Sequence, residues 1–452
     1  MSSFIPLLAI IIAFVCLTPA VCDFLSISIL GRRLVVINSA QTAIDILDKK
    51  GAFYSDRPIM GMIGELMGFK NWLVLLPYGP RFRNQRRLVR QQLSSHAAMK
   101  QFSLIVEHET GRLLRRLSAK PEHLSDQIQK TIGAILLRII YGYEIQEEND
   151  LFLELVDRSS HCFALAMTPG KFLANSIPII RHIPDWFPGF KQIAKEWRAT
   201  IYDMVDRTHE HAKQQMAVGK GSVSFTSKML EDEPSAEEEK YIKLLAATLY
   251  GGFHLHSRYL LTRGQTAAAV YAFFKAMLLF PDLPRSDDRE RLPYINALVL
   301  EVSRWHTVAP LVNLEYDLSC ILNTHYPPKI GVPHSAKEDG VQKMLHDPAV
   351  YKQPFDFNPD RFIRAKDTEP EADPYGVAFG FGRRMLADSS IFIVCAMVLA
   401  TFNISKYSEN GVVLEPDAGH TAGNISHPTP FKCTIKARSA KALSLINEEG
   451  FA

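Results

Sequence analysis

Apolar positions along the chain recur mainly at intervals of three and four residues, which is the period of amphipathic helices. This pattern runs from residue 82 to about residue 250, with breaks near four prolines between positions 169 and 188. A second strong helix is predicted for the segment YINALVLEVSRWH, and a long apolar helix from about Leu386 to Leu399. The hydrophobic period therefore predicts a mainly α-helical fold.

Patterns typical of strands occur only near the two ends of the chain. Residues 24–38 form two β-rich runs broken at Gly31 and Arg32, which predicts a hairpin. The following segment, AQTAIDILDKKGAF, has helical spacing and predicts a helix that ends at a C-cap on Gly51. From residue 410 onward, short alternating runs with Gly and Pro predict a small closing sheet. The strands therefore add a minor β region to the helical fold.

Residues 1–23 are predicted to be a membrane anchor or a signal segment. The stretch FIPLLAIIIAFVCLTPAV is apolar almost throughout and reaches the length of a helix that spans a bilayer. A cleaved signal is the alternative, because Ala20 and Cys22 have cleavage-like spacing, but the basic start of such signals is absent. Arg32 and Arg33 would mark the cytosolic flank of an anchor. We expect the endoplasmic reticulum membrane, with the main domain in the cytosol.

Composition and charge exclude several classes of partner. The net charge of +3, from 51 basic and 48 acidic residues, is too small to predict a nucleic-acid partner. Six cysteines without a Cys-x-x-Cys pair favour reduced, buried thiols over a disulfide framework or a zinc site. His254 and His256 could form a metal pair, but a role as ligands is not favoured.

Three motifs follow one another in the C-terminal half. Glu301 and Arg304 lie three positions apart on one predicted helix face, where a carboxylate and a guanidinium can pair. A Pro-rich stretch then contains FNPDRF at residues 357–362, and FGFGRR at residues 379–384 leads into the apolar helix. The first pair alone is typical of an exposed helix salt bridge. The fixed order of all three motifs is a more specific signal than this pair alone.

With these motifs, and with the phrases DRERLPYINAL, RWHTVAPL, HDPAVY, FDFNPDRF and AFGFGRR, the chain resembles the cytochrome P-450 family of haem-thiolate monooxygenases. It looks most like fungal, membrane-bound members, over most of residues 24–440. The resemblance implies a mainly α fold with a minor β domain, in which residues 24–452 form the haem domain behind the N-terminal anchor. It also implies haem as the cofactor, an NADPH-dependent reductase as electron donor, and hydroxylation of a small lipophilic substrate.

The resemblance implies roles for individual residues. In the family, a Glu-x-x-Arg helix pairs with the arginine of a Phe-x-Pro-x-Arg-Phe segment, which gives Glu301, Arg304 and Arg361 a structural role around the haem. A family helix with the pattern Trp-x-x-x-Arg lays an arginine on a haem propionate; here Phe82 and Arg86 occupy those positions.

The haem loop of the family has the pattern Phe-x-x-Gly-x-Arg-x-Cys-x-Gly. Phe379, Gly382 and Arg384 match it, and Arg384 is a candidate to face the propionates, as is His334. The cysteine position, however, holds Leu386. Because the chain passes directly from FGFGRR to MLADSSIF, about five residues look cut out of the loop.

The neighbours of Leu386 do not replace the missing ligand. Cys395 lies nine positions further along, inside the apolar helix, and is expected to be a packed core thiol. Met385 is a neutral ligand without the electron push that a thiolate supplies.

The helix that activates oxygen in the family also differs. Thr266 matches the second threonine of the Ala-Gly-x-Asp-Thr-Thr pattern and is the one weak catalytic candidate. Gly264 and Gln265 then occupy the acid and first alcohol positions, where neither residue can relay protons.

The match of the sequence to the family is interrupted near residues 253–263, 281–287, 312–340 and 384–387. Three hypotheses follow: a haem-dependent monooxygenase that is impaired in this chain, a non-catalytic relative that binds haem or lipid, or the product of a faulty gene record.

Overall fold

The computed structural model describes residues 24–29, 32–37, 39–54, 56–57, 60–93, 96–168, 171–175, 180, 182–184, 189–251, 263–279, 292–308, 340–364, 369–378, 385–417, 419–421 and 426–447. The predicted anchor, the His254 and His256 pair, His334 and the loop residues 379–384 lie outside these ranges. None of the helices within them is both long enough and apolar enough to cross a membrane.

Strands contribute three small antiparallel sheets. Strands β1 (Phe24–Ile29) and β2 (Arg32–Ile37) pair with each other, which confirms the predicted N-terminal hairpin. Near the C-terminus, β3 (Phe402–Lys406) is followed by β4 (Ser408–Glu409), β5 (Val412–Val413) and β6 (Cys433–Ala437). Strand β3 pairs with β6, and β4 pairs with β5. The predicted closing β region is therefore present, and it begins before residue 410.

Helices make up most of the described chain. Their bounds are α1 Ala40–Ala43, α2 Gly51–Tyr54, α3 Pro80–Leu93, α4 His96–Ala119, α5 Leu124–Tyr141, α6 Leu151–Met167, α7 Phe190–Ala217, α8 Phe225–Leu230, α9 Ala236–Gly251, α10 Arg263–Leu279, α11 Leu292–Trp305, α12 Gly340–Leu345, α13 Tyr375–Ala378, α14 Met385–Thr401 and α15 Ala440–Asn447. Short π-helical segments span Ile44–Asp48 and Gly61–Leu66, and 3₁₀ turns include Leu173–Asn175 and Pro359–Phe362.

The predicted helix cap at Gly51 is wrong. Helix α1 continues into the π-helical turn Ile44–Asp48, in which the N–H of Lys49 donates to the carbonyl of Ile44 at 3.0 Å. This wider turn ends the helix before Gly51, and Gly51 instead begins α2 without the positive φ of a C-cap glycine.

Helix α5 lies at the centre of the main hydrophobic core. It packs against α4, α9 and α10, and most of its side chains are buried. The helix ends where Gly142 takes a φ of 71° and its N–H donates to the carbonyl of Arg138, as a C-terminal glycine cap does. Helix α14 packs on α4, α10 and α11, and this packing brings the C-terminal motifs onto the same core.

Candidate functional site

Glu301 and Arg304 form a fully buried ion pair near the end of α11. Both side chains are 0% exposed. The Arg304 Nε donates to Glu301 Oε2 at 2.7 Å and the Nη2 donates to Oε1 at 2.9 Å, so the pair is bidentate. Arg304 Nη1 also donates to the carbonyls of Leu345 and Pro354, at 3.0 and 2.6 Å. The end of α11 is thereby bound to α12 and to the segment after it.

Arg361, in the 3₁₀ turn Pro359–Phe362, joins the same cluster. Its Nε donates to Glu301 Oε1 at 3.2 Å, and its Nη1 donates to Glu371 Oε2 at 2.7 Å. The remaining bonds run to backbone carbonyls, those of Lys352, Gln353 and Asp356. One guanidinium therefore joins α11 to residues 352–356 and to Glu371.

The buried charges in this cluster balance. Two carboxylates, of Glu301 and Glu371, face two guanidinium groups, of Arg304 and Arg361. Glu301 Oε1 also accepts from the backbone N–H of Asn358 at 2.7 Å. A buried ion pair is tolerated only when such hydrogen bonds satisfy its remaining polar atoms. We call these four side chains the buried quartet, although Glu371 is only partly buried, at 16% exposure.

The surroundings of the quartet favour a structural role. The guanidinium carbon of Arg304 lies 5.3 Å from the ring centre of Tyr351. Burial raises the pKa of Tyr351 to about 12, so its phenol stays protonated at neutral pH. Every carboxylate of the quartet accepts hydrogen bonds from a guanidinium group. The quartet is therefore suited to holding chain segments in place, and less suited to exchanging protons.

Arg86 lies apart from the quartet, on α3. Its guanidinium carbon is 5.3 Å from the ring centre of Phe82, a side chain that is 4% exposed. Arg86 itself is partly exposed. Phe82 thus occupies the position of the family tryptophan as a buried aromatic ring, and the guanidinium of Arg86 lies over that ring. Contact of Arg86 with a propionate stays a prediction.

Thr266 lies in the first turns of α10 and is 2% exposed. The helix carries no carboxylate anywhere in its sequence RGQTAAAVYAFFKAMLL. Thr266 therefore stands among alanines without an acidic neighbour on its own helix, and its catalytic role also stays a prediction.

A hydrogen bond joins the two helices that flank the family motif in the sequence. Helix α13 precedes residues 379–384 and α14 follows them. Tyr375 Oη donates to Asp388 Oδ1 at 2.5 Å, which ties the two helices together. Since α14 begins at Met385, Leu386 lies within the first helical turn.

The cysteines that the structure describes do not fit the role of a haem thiolate. Cys395 is 0% exposed within α14, and burial raises its pKa well above the usual range of a thiol. Burial likewise raises the pKa of Cys433 to about 12, and it raises the pKa of Cys162. All three of these cysteines lie within regular elements, α6, α14 and β6, and none lies in the segment that carries the family motif. Leu386 stands in the position that the family pattern gives to the ligand cysteine.

A polar cluster that the sequence did not reveal lies between α10, α11 and the segment 417–429. Lys275 is 0% exposed, and its Nζ donates to the Gly419 carbonyl at 2.7 Å and to Thr429 Oγ1 at 2.9 Å. Burial lowers the pKa of Lys275 to about 8. His306 and His420 meet beside it. The one available signal was a single lysine within the apolar run AFFKAMLL.

Comparison with known proteins places these features in a family. The cytochrome P450 family profile matches residues 13–250 and 278–434, and the gap between them includes Thr266. Cytochrome P450 monooxygenase 208 of Postia placenta is 39% identical over 448 residues, which cover 94% of this chain and 85% of the relative. Cytochrome P450 monooxygenase claR of Ampulloclitocybe clavipes is 36% identical, over 94% of this chain and 82% of the relative.

Solved structures show the same fold at lower identity. A zebrafish cytochrome P450 solved with abiraterone superposes with a TM-score of 0.64 at 17% identity, over 94% of this chain and 98% of the other. A structure of a zebrafish cytochrome P450 with progesterone gives a TM-score of 0.67. From the family match over most of its length and the fungal relatives, the chain belongs to the cytochrome P450 monooxygenase family, whose cofactor is haem.

Proposed function

We propose that this chain is a haem-dependent monooxygenase by descent, that its reaction is hydroxylation of a small lipophilic substrate, and that this reaction is impaired in the chain as it stands. The observation that carries the proposal is a contrast within the C-terminal half. The buried quartet around Glu301 is complete, whereas Leu386 stands where the family has its iron ligand. The chain therefore keeps the residues that hold the fold together, whereas it lacks the residue that would bind the iron.

The impairment has two physical causes. A thiolate supplies the electron density that favours O–O cleavage, and Leu386 has no donor atom. Proton delivery to oxygen needs an acid and an alcohol, and Gly264 and Gln265 supply neither. Identity of 39% to a monooxygenase over 94% of the chain supports descent from an enzyme more than a separate lipid-binding function.

We further propose that residues 1–23 anchor the chain in the endoplasmic reticulum membrane, with the haem domain in the cytosol, where an NADPH-dependent reductase supplies electrons. The apolar run from Phe4 to Val21 supports an anchor because its length suits a membrane-spanning helix. Alkaline carbonate extraction of membranes tests this. The full chain is expected in the membrane pellet and a variant without residues 1–23 in the supernatant; a full chain that is extracted would contradict the anchor.

A repaired loop tests the proposed reaction. A five-residue insertion between Arg384 and Met385 can restore the pattern Arg-x-Cys-x-Gly, and the matched control has Ser in place of the new Cys. To restore proton delivery, both proteins also carry Gly264→Asp and Gln265→Thr.

With haem, reductase, NADPH and a panel of lipophilic compounds, we expect hydroxylated product from the cysteine-containing variant only. Equal product from the unmodified chain would refute the impairment. Absence of product from a cysteine variant that binds haem through its thiolate would count against the monooxygenase reaction.

A further inference from the structure

Two histidines from distant parts of the chain face each other beside the end of α11. His306 Nδ1 lies 3.1 Å from His420 Nδ1, and the ring centres are 4.7 Å apart. His306 is 1% exposed, whereas His420 is exposed to solvent. The pair thus consists of the buried ring of His306 and the exposed ring of His420, which an ion can reach from solution.

The hydrogen bonds of His306 determine which of its nitrogens has a free lone pair. His306 Nε2 lies 3.0 Å from the carbonyl oxygen of Ser426, which can only accept, so Nε2 carries the proton. In a neutral imidazole, a proton on Nε2 leaves the lone pair on Nδ1. A ring N–H bound to a backbone carbonyl is also the usual orientation of a histidine that ligates a metal.

The unprotonated Nδ1 of His306 therefore lies 3.1 Å from His420 Nδ1. Two arrangements satisfy this geometry: an N–H of His420 that donates to His306, or a cation that both rings share. In a tetrahedral zinc site with Zn–N distances of about 2.0–2.1 Å, two ligand nitrogens are about 3.3 Å apart. The observed separation of 3.1 Å is within a few tenths of an ångström of that value.

We propose that His306 and His420 form a binding site for a divalent transition-metal ion that prefers imidazole, such as Zn²⁺ or Cu²⁺. Water completes the coordination, because among the residues described here no group of three or more His, Cys, Asp or Glu side chains could hold a metal. The ion would join the end of α11 to the segment that contains His420.

Neighbouring charges act on both rings of this site. The ammonium group of Lys275 opposes a cation, and the carboxylate of Asp417 offsets part of this effect at His420. His427 also acts on His306.

Zn²⁺ binding to the full chain tests the site. The protein is prepared without a histidine tag, treated with a chelator and titrated with Zn²⁺ by calorimetry. We expect one ion per chain. His420→Ala should weaken binding by at least about tenfold. His427→Ala is the matched control, since it removes a histidine of the same cluster whose charge opposes a cation at His306, and it should not weaken binding.

Cu²⁺ provides a second, spectroscopic measurement. Its electron paramagnetic resonance spectrum in the full chain should show coupling to two imidazole nitrogens, and to fewer in His420→Ala. Absence of Zn²⁺ binding, equal binding by His420→Ala, or equal loss in both alanine variants would each overturn the site. In that case His306 and His420 are joined by a hydrogen bond alone.

Discussion

Replacing Glu301 by Gln is expected to destabilise the protein strongly. Its carboxylate accepts hydrogen bonds from both Arg304 and Arg361, as well as from the N–H of Asn358, at 2.7–3.2 Å. Gln keeps the shape of the side chain but removes the negative charge. Arg361 would keep its ion pair with Glu371, whereas Arg304 would lose the carboxylate with which it pairs.

The expected loss follows from the burial of these charges. Removing one partner of a buried ion pair costs about 3–5 kcal/mol, because the charge left behind is out of water and uncompensated. Arg304 is 0% exposed, so water cannot replace the lost carboxylate. A loss of this size is a large part of the 5–15 kcal/mol that typically stabilises a folded domain.

Urea unfolding followed by helical circular dichroism measures the effect. The matched control is Glu369→Gln, which removes a carboxylate from an exposed pair with Arg364, where the two side chains are 76% and 75% exposed. This control should change the free energy of unfolding by less than about 1 kcal/mol. If Glu301→Gln loses no more stability than the control, the reasoning about the buried quartet is wrong.

Two further predictions concern close packing and pH. Gly61→Ala should destabilise the fold, because the new Cβ would overlap the carbonyl oxygen of Ala174, whereas Gly376→Ala has open space and should be tolerated; equal thermal stability of the two variants would contradict this. Burial lowers the pKa of His306, and that of His346 to about 4, so the unfolded chain binds more protons than the folded chain. The contribution of these two histidines to stability should therefore be complete above about pH 6.5 and be lost toward pH 4, and urea midpoints that stay constant across this window would refute it.

The sequence predicted the parts of the fold that depend on local periodicity. The spacing of apolar residues predicted α11, which buries one face against the core, and a long apolar run predicted α14. It failed at Gly51, since a π-helical turn depends on hydrogen bonds that no residue pattern specifies. Glycine favours a C-cap but does not require one.

Long-range partners were harder to predict. The motif at Glu301 and Arg304 indicated a pair, but the carbonyls that Arg304 and Arg361 bind belong to irregular chain whose path is set by the whole fold. His306 and His420 are 114 positions apart, and nothing near either residue indicates the other. The missing ligand at Leu386 is different, because the absence of a donor atom can be read directly from the sequence.

The most direct test of the account is the difference spectrum of the reduced, carbon monoxide-bound, full-length chain after it has been supplied with haem. With Leu386 in the position of the family's ligand, and with the described cysteines placed in α6, α14 and β6, we predict no Soret band of the thiolate-ligated type. A thiolate-type Soret band from the unmodified chain would contradict it.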